Sequence, residues 1–485
     1  MEQINSEIPD SRVAERAYRQ VRQDHNDQVA RKMSKWKGLG DYYHRRLAEI
    51  YTFLVSPNQR VLELGCGRGD LLAALRPSFG VGVDFSGEMI KLTKERHPNL
   101  HFFVSDAMQI GMETTFDVII LSDLLNDLWD AQSVFQQVRR LSHSRTRIII
   151  NTYSRLWELP LGLAEALHLA KPSLDLNWLT VDDIASLLHL ENLEVICTWP
   201  EIIWPIRTPI VDVFFNKFLV KTWPFKTLAL TNMIVARPEP EPAKTVSPVV
   251  SVIVPARNES GNVSQIMARI PEMGSGTEII FVEGHSTDDT FVAIQREVAA
   301  HPERRCQVMQ QTGKGKGDAV RLGYRLAKGD ILMILDADMT VPPEDLPRFY
   351  DALVQGKGDF INGVRLVYPM EKQAMRFFNL LGNKFFSLAF SWLLGQPVKD
   401  TLCGTKVLRK SDYDLIARNR HYFGDFDPFG DFDLLFGAAK QTLKIIDLPI
   451  RYRERTYGTT NIQRWSHGWL LLKMVAFAAS RMKFV

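Results

Sequence analysis

The chain has 485 residues, enough for two domains or more, and its 45% hydrophobic and 24% charged residues are typical of globular protein. Its 59 basic and 56 acidic residues nearly balance, and we see no basic patch interleaved with aromatics, so we predict no nucleic-acid partner. Four scattered cysteines, a polar N-terminus and the lack of a run of about 18 apolar residues predict a cytoplasmic protein without structural zinc or a membrane-spanning helix.

The first 39 residues are charged and polar. Their pattern allows a surface helix over residues 11–37, and we interpret the segment as a solvated N-terminal arm. The amphipathic residues 42–54 follow, and they mark the start of the first predicted domain at about residue 40.

A glycine turn is the main motif of the first half. Residues 59–72 predict a strand, a turn with Gly65, Gly67 and Gly69, and a helix start. Glycines at such a position let backbone N–H groups approach a ligand closely at the helix N-terminus. The spacing is tighter than that of the dinucleotide fingerprint, and a carboxylate, Glu63, precedes it.

Acidic residues end the next predicted strands. The second strand ends at Asp84, the third just before Asp106, and the fourth at Asp123. An acid after the second strand can accept hydrogen bonds from both hydroxyls of a ribose. The alternation of strands and helices predicts a parallel, doubly wound sheet with its ligand at the carboxyl ends of the strands.

Residues 40–237 resemble the class I S-adenosylmethionine-dependent methyltransferases. The resemblance implies that the glycine turn approaches the methionine moiety, that Asp84 binds the ribose, and that Asp106 lies near the adenine. The cofactor-binding residues implied in this way are Glu63, Gly65, Gly67, Gly69, Asp84 and Asp106.

The methyl acceptor stays open. Candidates to line its pocket are Tyr43, His44, Tyr153, Trp157 and Trp178, although core packing accounts better for most of them. The same fold hosts non-methylating relatives, so the alternative is a binding or scaffold module without catalysis.

A proline-rich linker separates the two halves. Residues 238–248 contain four prolines and no hydrophobic periodicity, which predicts an extended and fairly stiff spacer. We therefore predict a second domain over residues 249–485.

Predicted strands that end in polar turns recur in the second half. Because the carboxyl ends of parallel strands meet at one sheet edge, nucleotides bind there in open α/β sheets. Paired carboxylates at a strand end suit Mg²⁺ or Mn²⁺ carrying a diphosphate, since such ions take their other ligands from phosphate and water. The residues at this edge are Pro255, Arg257 and Glu259, then Glu283, then Lys316 of a glycine–lysine loop, then Asp336 and Asp338.

Residues 249–484 resemble the family-two glycosyltransferases of GT-A fold, particularly the branch with dolichyl- and polyprenyl-phosphate sugar transferases. The resemblance implies that Asp336 and Asp338 hold the metal and that the sugar is transferred with inversion. The implied nucleotide-sugar residues are Pro255, Arg257, Glu259, Glu283, Lys316 and Asp336. One departure is Glu283-Gly284-His285, where the family usually has Asp-Asp or Asp-Gly, and it leaves the base and the sugar open.

Two acceptor classes remain. A hydroxyl acceptor needs a general base, for which Asp431 and Asp433 of an acidic segment are the candidates. A lipid phosphate is already anionic, and Arg365 and Arg376 would hold it by charge-assisted hydrogen bonds.

Two aromatic-rich stretches with interspersed basic residues, 370–394 and 465–484, bear on membrane contact. They predict helices that lie in a bilayer interface, with ordinary buried helices as the alternative. An arginine-rich segment over residues 451–461 predicts a loop that closes over the diphosphate.

Together, the two halves predict an α/β protein with two doubly wound Rossmann-like domains. We predict a metal-dependent inverting glycosyltransferase that moves a sugar from a UDP- or GDP-linked donor to a polyprenyl-phosphate-type acceptor, fused to a methyltransferase. We expect a peripheral protein at the inner face of the cytoplasmic membrane. The alternative is transfer to a sugar or protein hydroxyl, with a non-catalytic binding or scaffold module as the N-terminal domain.

Overall fold

The chain folds into two compact units, Met1–Glu239 and Pro240–Val485. Each unit is built around a seven-stranded sheet that combines parallel and antiparallel strands, which confirms the predicted architecture of two doubly wound α/β halves. The computed structural model describes residues 11–32, 41–166, 174–240, 247–365, 377–423, 430–451, 453, 457 and 464–484.

The first unit alternates strands and helices after two opening helices. Its helices are α1 (Ser11–Lys32), α2 (Asp41–Leu54), α3 (Asp70–Ala74), α4 (Gly87–Arg96), α5 (Ala131–Arg140), α6 (Glu158–Ala166), α7 (Val181–Leu190) and α8 (Val211–Val213), the last continuing into a π turn. Its strands are β1 (Arg60–Leu64), β2 (Phe79–Asp84), β3 (His101–Val104), β4 (Phe116–Ser122), β5 (Ser142–Tyr153), β6 (Leu193–Glu201) and β7 (Thr231–Pro238).

The strand order of the first sheet is β3-β2-β1-β4-β5-β7-β6. The predicted parallel pairing is present from β1 to β5, whereas β7 runs antiparallel to β5 and β6, because the last strand inserts between them. Leu64 at the end of β1 pairs with Val83 of β2 and Leu121 of β4. The turn after β1 therefore lies between the turns that follow β2 and β4.

The second unit also alternates strands and helices. Its helices are α9 (Val263–Arg269), α10 (Thr290–Ala300), α11 (Lys316–Leu326), α12 (Leu346–Val354), α13 (Phe377–Leu394), α14 (Lys410–Arg418), α15 (Phe432–Lys440) and α16 (Arg464–Ala478). Its strands are β8 (Val250–Ala256), β9 (Thr277–Glu283), β10 (Arg305–Gln310), β11 (Ile331–Ile334), β12 (Phe360–Val364), β13 (Lys406–Arg409) and β14 (Ile445–Pro449). Strands β10 and β14 are the edge strands of its sheet.

The strand order of the second sheet is β10-β9-β8-β11-β13-β12-β14, and β13 is antiparallel to both neighbours. Successive residues of β11 face two different core clusters, Leu332 and Ile334 one of them, Ile331 and Met333 the other. A strand that is buried on both faces needs an unbroken apolar run, which explains this segment of the sequence. Polar side chains return only where β11 ends.

Helices α13 and α16 fall in the two aromatic-rich stretches. Each has a buried face, with Phe390 of α13 and Leu471 and Met474 of α16 in the same apolar cluster. In the part of the chain that the structure describes, we find no helix with both the length and the apolar character needed to span a bilayer.

Candidate active sites

The glycine turn after β1 forms the base of the first candidate site. The N–H of Gly65 donates to the carbonyl of Val83 at 2.8 Å, and the Thr93 hydroxyl donates to the carbonyl of Gly67 at 2.7 Å. Gly67 has a φ of 48°, and no heavy atom lies within 4 Å of the place where its Cβ would be. The turn is thus fixed by β2 and by Thr93 of α4, and the space next to the Gly67 Cα is open, which fits the close approach of a ligand.

Glu63 and Asp84 brace this turn. The Leu72 N–H, at the start of α3, donates to Glu63 Oε2 at 3.1 Å, and burial raises the pKa of Glu63 to about 8. Asp84 accepts from the N–H groups of Gly67, at 3.0 Å, and Ser86, at 2.9 Å. Burial also raises the pKa of Asp84, against the effect of these hydrogen bonds.

Helix α1 packs against the same sheet edge. Arg19 forms an ion pair of 3.0 Å with Asp106, and Asp27 accepts a hydrogen bond from the Ser86 hydroxyl. Arg22 is buried and donates to the carbonyl of Asp175. Within α1, polar side chains thus bind the loops that follow the strands, which differs from the fully solvated helix expected there.

A buried polar cluster follows β4, and the sequence reasoning gave it no role. The Tyr43 hydroxyl donates to Asp123 Oδ1 at 2.8 Å, and the Asn151 amide donates to the same oxygen. The Tyr51 hydroxyl donates to Asn151 at 2.7 Å. The signal in the sequence was a third acid at a strand end, but its partners are distant in the chain.

The structure separates the candidates for the acceptor pocket. Tyr153 lies beside Tyr43, with ring centroids 6.0 Å apart, and its pKa is raised by burial and by Asp123, so it belongs to the polar cluster. His44 is exposed, Trp178 is half-buried, and the Trp157 indole donates to the carbonyl of Leu228 at 2.9 Å. Of the five candidates, two therefore stand at Asp123.

Two polar turns bind each other at the edge of the second sheet. After β8, the N–H of Asn258 donates to the Ser286 hydroxyl at 3.0 Å, and that of Glu259 to the Thr290 hydroxyl at 2.9 Å. The Glu259 carboxylate accepts from the Asn262 amide. The turn after β8 is thus fixed to the turn after β9.

Three further predicted nucleotide residues lie in or beside these turns. The Glu283 carboxylate accepts from the Ser286 N–H and the Gln310 amide, and these hydrogen bonds lower its pKa although burial acts the other way. Pro255 is half-buried and Arg257 exposed.

Lys316 and Asp336 form the centre of the second candidate site. The ammonium Nζ lies 2.6 Å from Asp336 Oδ1. Burial raises the pKa of Asp336, but Lys316 outweighs it and holds that pKa below its usual range. A Cβ at Gly404 would overlap both the Asp336 carboxylate and the Lys316 ammonium, so this pair needs a glycine beside it.

The second aspartate of the motif is fixed separately. Asp338 Oδ1 accepts from the Thr340 N–H at 3.1 Å and from its hydroxyl at 2.7 Å. The two carboxylates are thus held by different partners.

Of the two candidate bases, the structure brings only Asp431 to this site. Asp431 Oδ1 lies 3.2 Å from Lys406 Nζ, and together with Asp336 and Asp338 it raises the pKa of Lys316, although burial opposes this. Asp433 instead pairs with Arg420 at 2.8 Å.

Arg365 lies near Asp336 and is held by a bidentate ion pair. Its Nε and Nη2 donate to the two oxygens of Asp400 at 2.7 and 2.9 Å, and its backbone N–H donates to Asp400 as well. Arg365 lowers the pKa of the buried Asp400, although burial acts against it. Arg376, residues 424–429 and most of the predicted loop 451–461 lie outside the described residues.

The residues at this edge fit a divalent ion that shares its coordination with a diphosphate. Within the described ranges, no set of three or more His, Cys, Asp or Glu side chains is arranged to hold a metal ion alone. Asp431 Oδ1 is buried and lies 3.2 Å from the Lys406 ammonium, but it accepts no hydrogen bond of regular geometry from the same residues. Oxygen ligands in this number suit Mg²⁺ or Mn²⁺, which keep few protein ligands.

Comparison with known proteins assigns both units. Residues 251–415 match the model of "Glycosyl transferase family 2", and residues 55–189 match the model of a "Methyltransferase domain". These matches confirm both resemblances drawn from the sequence.

Two curated relatives match part of the chain. An undecaprenyl-phosphate 4-deoxy-4-formamido-L-arabinose transferase from Aeromonas hydrophila is 30% identical over 216 residues, which are 43% of this chain and 61% of that protein. A dolichol-phosphate mannosyltransferase from Pyrococcus furiosus is 28% identical over 220 residues, 44% of this chain and 59% of that protein. The chain thus spans about three-fifths of the length of these relatives.

A solved SAM-dependent methyltransferase from Methanosarcina mazei aligns with a TM-score of 0.31 and 16% identity. The alignment covers 40% of this chain and 98% of that one.

Proposed function

We propose that this chain, which joins a methyltransferase domain over residues 55–189 to a family 2 glycosyl transferase domain over residues 251–415, moves a sugar from a nucleotide-sugar to a polyprenyl-phosphate-type acceptor. The observation that carries the proposal is the meeting of Lys316, Asp336 and Asp431 at the carboxyl edge of the second sheet. The names of the relatives, transferases of undecaprenyl phosphate and dolichol phosphate, support the acceptor class.

A UDP- or GDP-linked sugar is the proposed donor. The two polar turns fixed by Glu259 and Glu283 hold the nucleoside, and Lys316 faces its diphosphate. The leaving nucleoside diphosphate gains negative charge as the sugar departs. A fixed ammonium group in a partly buried site stabilises that charge without having to reorganise.

Asp336 and Asp338 are the residues that would hold Mg²⁺ or Mn²⁺. When bound, such an ion supplies charge stabilisation to the diphosphate oxygens. We propose that the acceptor oxygen attacks the anomeric carbon opposite the leaving group, so the sugar is transferred with inversion.

Arg365 is the proposed contact for the acceptor phosphate. Asp400 fixes the plane of its guanidinium group, and a planar fork of donors suits phosphate oxygens. An acceptor phosphate is already anionic and needs no general base.

Transfer to a hydroxyl is the second candidate, and the position of Asp431 favours it. The Asp431 carboxylate lies buried at the same edge, with its Oδ1 3.2 Å from the Lys406 ammonium. Such an oxygen can take the proton of an acceptor hydroxyl. Asp433 is no longer part of this candidate, because it is bound to Arg420.

We further propose that α13 and α16 dock on the inner face of the cytoplasmic membrane. Opposite their buried sides, both expose large apolar side chains, including Phe385 at 55% and Trp469 at 63%. Lysines stand beside the rings: Lys473 Nζ is 5.9 Å from the Trp469 ring centroid. Aromatic and basic residues on one face suit an anionic bilayer interface.

For the first unit, we propose binding of S-adenosylmethionine and methyl transfer. The open space above Gly67 and the acids at the ends of β2 and β3 support this assignment. The alternative is a module that binds or scaffolds without catalysis.

The experiment that tests the glycosyltransferase is sugar transfer from a panel of UDP- and GDP-sugars, with polyprenyl phosphate and Mn²⁺ present. We expect a lipid product from the wild type and none from Asp338→Ala. Asp351→Ala, which removes an exposed carboxylate of α12, is the matched control and should keep full activity.

The possible outcomes separate the acceptor classes. Metal-dependent donor hydrolysis without a lipid product would favour a hydroxyl acceptor. Asp431→Asn should then abolish sugar transfer to that hydroxyl. The lack of both hydrolysis and transfer with every donor would contradict the proposal.

Flotation with anionic vesicles tests the membrane contact. Phe385→Ser combined with Trp469→Ser should reduce flotation. Leu190→Ser, which removes an equally exposed apolar side chain from α7, should leave it unchanged. Equal flotation of all three proteins would contradict docking through α13 and α16.

A further inference from the structure

The polar cluster at Asp123 lies beside the glycine turn and has no role so far. Leu121 of β4 pairs with Leu64 of β1, so the residues after β4 stand next to the turn that begins at Gly65. Leu124 packs over this turn, since a Cβ at Gly65 would lie 2.9 Å from Leu124 Cδ1. Asp123 therefore stands next to the glycine turn at the carboxyl edge of the sheet.

The backbone at Asp123 is held in an uncommon conformation. Its φ is 53°, in the left-handed region that residues other than glycine rarely adopt. Residues in such conformations persist only where the surroundings enforce them, and they concentrate at functional sites. Here the conformation turns the side chain toward α2 and β5, as its hydrogen bonds show.

The hydrogen bonds around Asp123 orient its carboxylate. Tyr43 of α2 donates to Oδ1 at 2.8 Å, and Asn151 of β5 donates to the same oxygen. Asn151 is in turn fixed by the Tyr51 hydroxyl, and Tyr43 also contacts the Thr231 hydroxyl at 3.1 Å. The residue as a whole is half-buried, and its carboxylate is rigidly placed.

We propose that Asp123 is the general base of methyl transfer and that the group it serves is an acceptor hydroxyl. The proposal rests on the proposed function of the first unit. A hydroxyl is a weak nucleophile until its proton is withdrawn, and an oriented carboxylate beside the cofactor turn can accept that proton.

Methyl transfer to a hydroxyl breaks two bonds and forms two. The O–H bond of the acceptor breaks, and its proton passes to a carboxylate oxygen of Asp123. The acceptor oxygen uses its electron pair to form the bond to the methyl carbon. The bond between that carbon and the sulfonium sulfur breaks, and its electron pair stays on the sulfur of the departing S-adenosylhomocysteine.

The titration of Asp123 suits this role. Burial raises its pKa to about 7, although the hydrogen bonds from Tyr43 and Asn151 oppose the rise, and Asp127 adds to it. A base is most effective when its pKa lies near the working pH.

The other titratable groups that face Asp123 come from three elements. Tyr43 and Tyr51 lie on α2, Tyr153 lies on β5, and Asp127 lies in the turn after β4. The pKa of each of the three tyrosines is raised well above its usual value, mainly by burial. They therefore stay neutral donors near neutral pH. Glu63, under the glycine turn, titrates in the same range as Asp123.

The test needs no knowledge of the acceptor. S-adenosylmethionine carries a positive sulfonium, whereas S-adenosylhomocysteine lacks the methyl group and the charge. Calorimetry measures the affinity of the full chain for both, from about pH 5.5 to about pH 8. If Asp123 faces the methyl group, its ionisation favours the sulfonium, and the ratio of the two affinities should rise about tenfold.

Two variants assign that rise to one carboxylate. Asp123→Asn should remove most of the rise of the affinity ratio with pH. Any contribution from Glu63 is the same in the wild type and the variant, so the difference between them belongs to Asp123. Tyr43→Phe removes a donor that lowers the pKa of Asp123, so the rise should move to higher pH. This second variant decides the question if Asp123→Asn does not fold.

A ratio that stays constant in the wild type, or rises equally in Asp123→Asn, would overturn the assignment of Asp123. Failure of the wild type to bind either nucleoside would instead overturn the proposed function of the first unit, which keeps the two failures distinct.

Discussion

The carboxylates of the first candidate site are held mainly by neutral groups. Backbone N–H groups bind Asp84, and a tyrosine and an asparagine bind Asp123. In both residues, as in Glu63, burial prevails and the pKa is raised. In the described part of the chain, these three carboxyl groups are buried without a cation beside them, so each ionises less readily than a free carboxyl group.

In the second candidate site, at the equivalent edge of a similar sheet, the carboxylates have cationic partners and lowered pKa values. Lys316 contacts Asp336, Arg365 contacts Asp400, and the cation lowers the pKa in each pair. The fold therefore fixes where a ligand binds, while the groups packed around each carboxylate decide its charge. The first edge suits a ligand with its own positive charge, and the second suits a polyanion.

The largest expected effect would come from breaking the Arg365–Asp400 pair. Arg365→Ala leaves a buried carboxylate without its cation, which should lower the free energy of unfolding of the second unit by about 3–5 kcal/mol. Scanning calorimetry of the full chain measures it. Since the pKa of Asp400 is lowered in the folded state, this stabilisation is present at neutral pH and is lost as pH falls below about 4.

An exposed pair of the same geometry provides the control. Arg269 binds Glu344 through two hydrogen bonds of 2.7 and 2.9 Å, but the two side chains are 30% and 53% exposed, against 14% and 3% for Arg365 and Asp400. Arg269→Ala should cost less than about 1 kcal/mol. Equal losses in the two variants would show that burial of the pair is not what stabilises it.

Removal of the central cation should have the next largest effect. Lys316→Ala leaves the carboxylates of Asp336, Asp338 and Asp431 without the ammonium between them, and we expect sugar transfer to fall about 10²- to 10³-fold. Single-turnover transfer from the active donor measures it. Lys314, in the same loop, is exposed, and Lys314→Ala should change the rate less than about threefold.

Removal of a buried acid from the first site should raise the free energy of unfolding instead of lowering it. The folded state keeps Glu63 protonated up to about pH 8, whereas the unfolded chain ionises it near pH 4.5, so stability falls between these values as pH rises. At about 1.4 kcal/mol per pH unit this loss amounts to at most about 4–5 kcal/mol at pH 8. Glu63→Gln avoids the ionisation but keeps a buried polar amide, so it should raise the free energy of unfolding at pH 8 by about 2 kcal/mol.

Thermal unfolding of the first unit at about pH 5.5 and about pH 8 checks this prediction. The gain should be larger at the higher pH. Glu95→Gln, at an exposed position on α4, should give no gain at either pH, and a gain independent of pH in Glu63→Gln would contradict the raised pKa.

The smallest effect is expected at the one ion pair that links α1 to Asp106. Both side chains are partly exposed, so Arg19→Ala should lower stability by less than about 1 kcal/mol. The difference from the wild type should vanish in high salt, as thermal melts at two salt concentrations would show. A large effect that persists in salt would mean that this pair is shielded from solvent.

The motifs that sequence predicts best are those that the local backbone specifies. The glycine turn and the sequence Asp336-Ala337-Asp338 both follow apolar strands, and strand ends converge at one edge in any doubly wound sheet. Their location needed no knowledge of distant contacts.

Contacts between distant residues could not be predicted in this way. Asp123 is fixed by Tyr43, which lies 80 residues earlier, and only the folded sheet brings them together. Asp431 and Asp433 looked equivalent in the sequence. Residues two apart at a helix start point in different directions, so one meets Lys406 and the other Arg420.

Helix α1 has a consequence for the order in which the chain is synthesised. Arg22 binds the carbonyl of Asp175, which leaves the ribosome 153 residues later. At about 5–20 residues per second, the helix segment waits about 8–30 s for this partner. A polar sequence stays soluble during that interval, whereas an apolar helix would expose an apolar surface that is prone to aggregation. The charged composition of α1 thus suits a segment that is made well before its partner at Asp175.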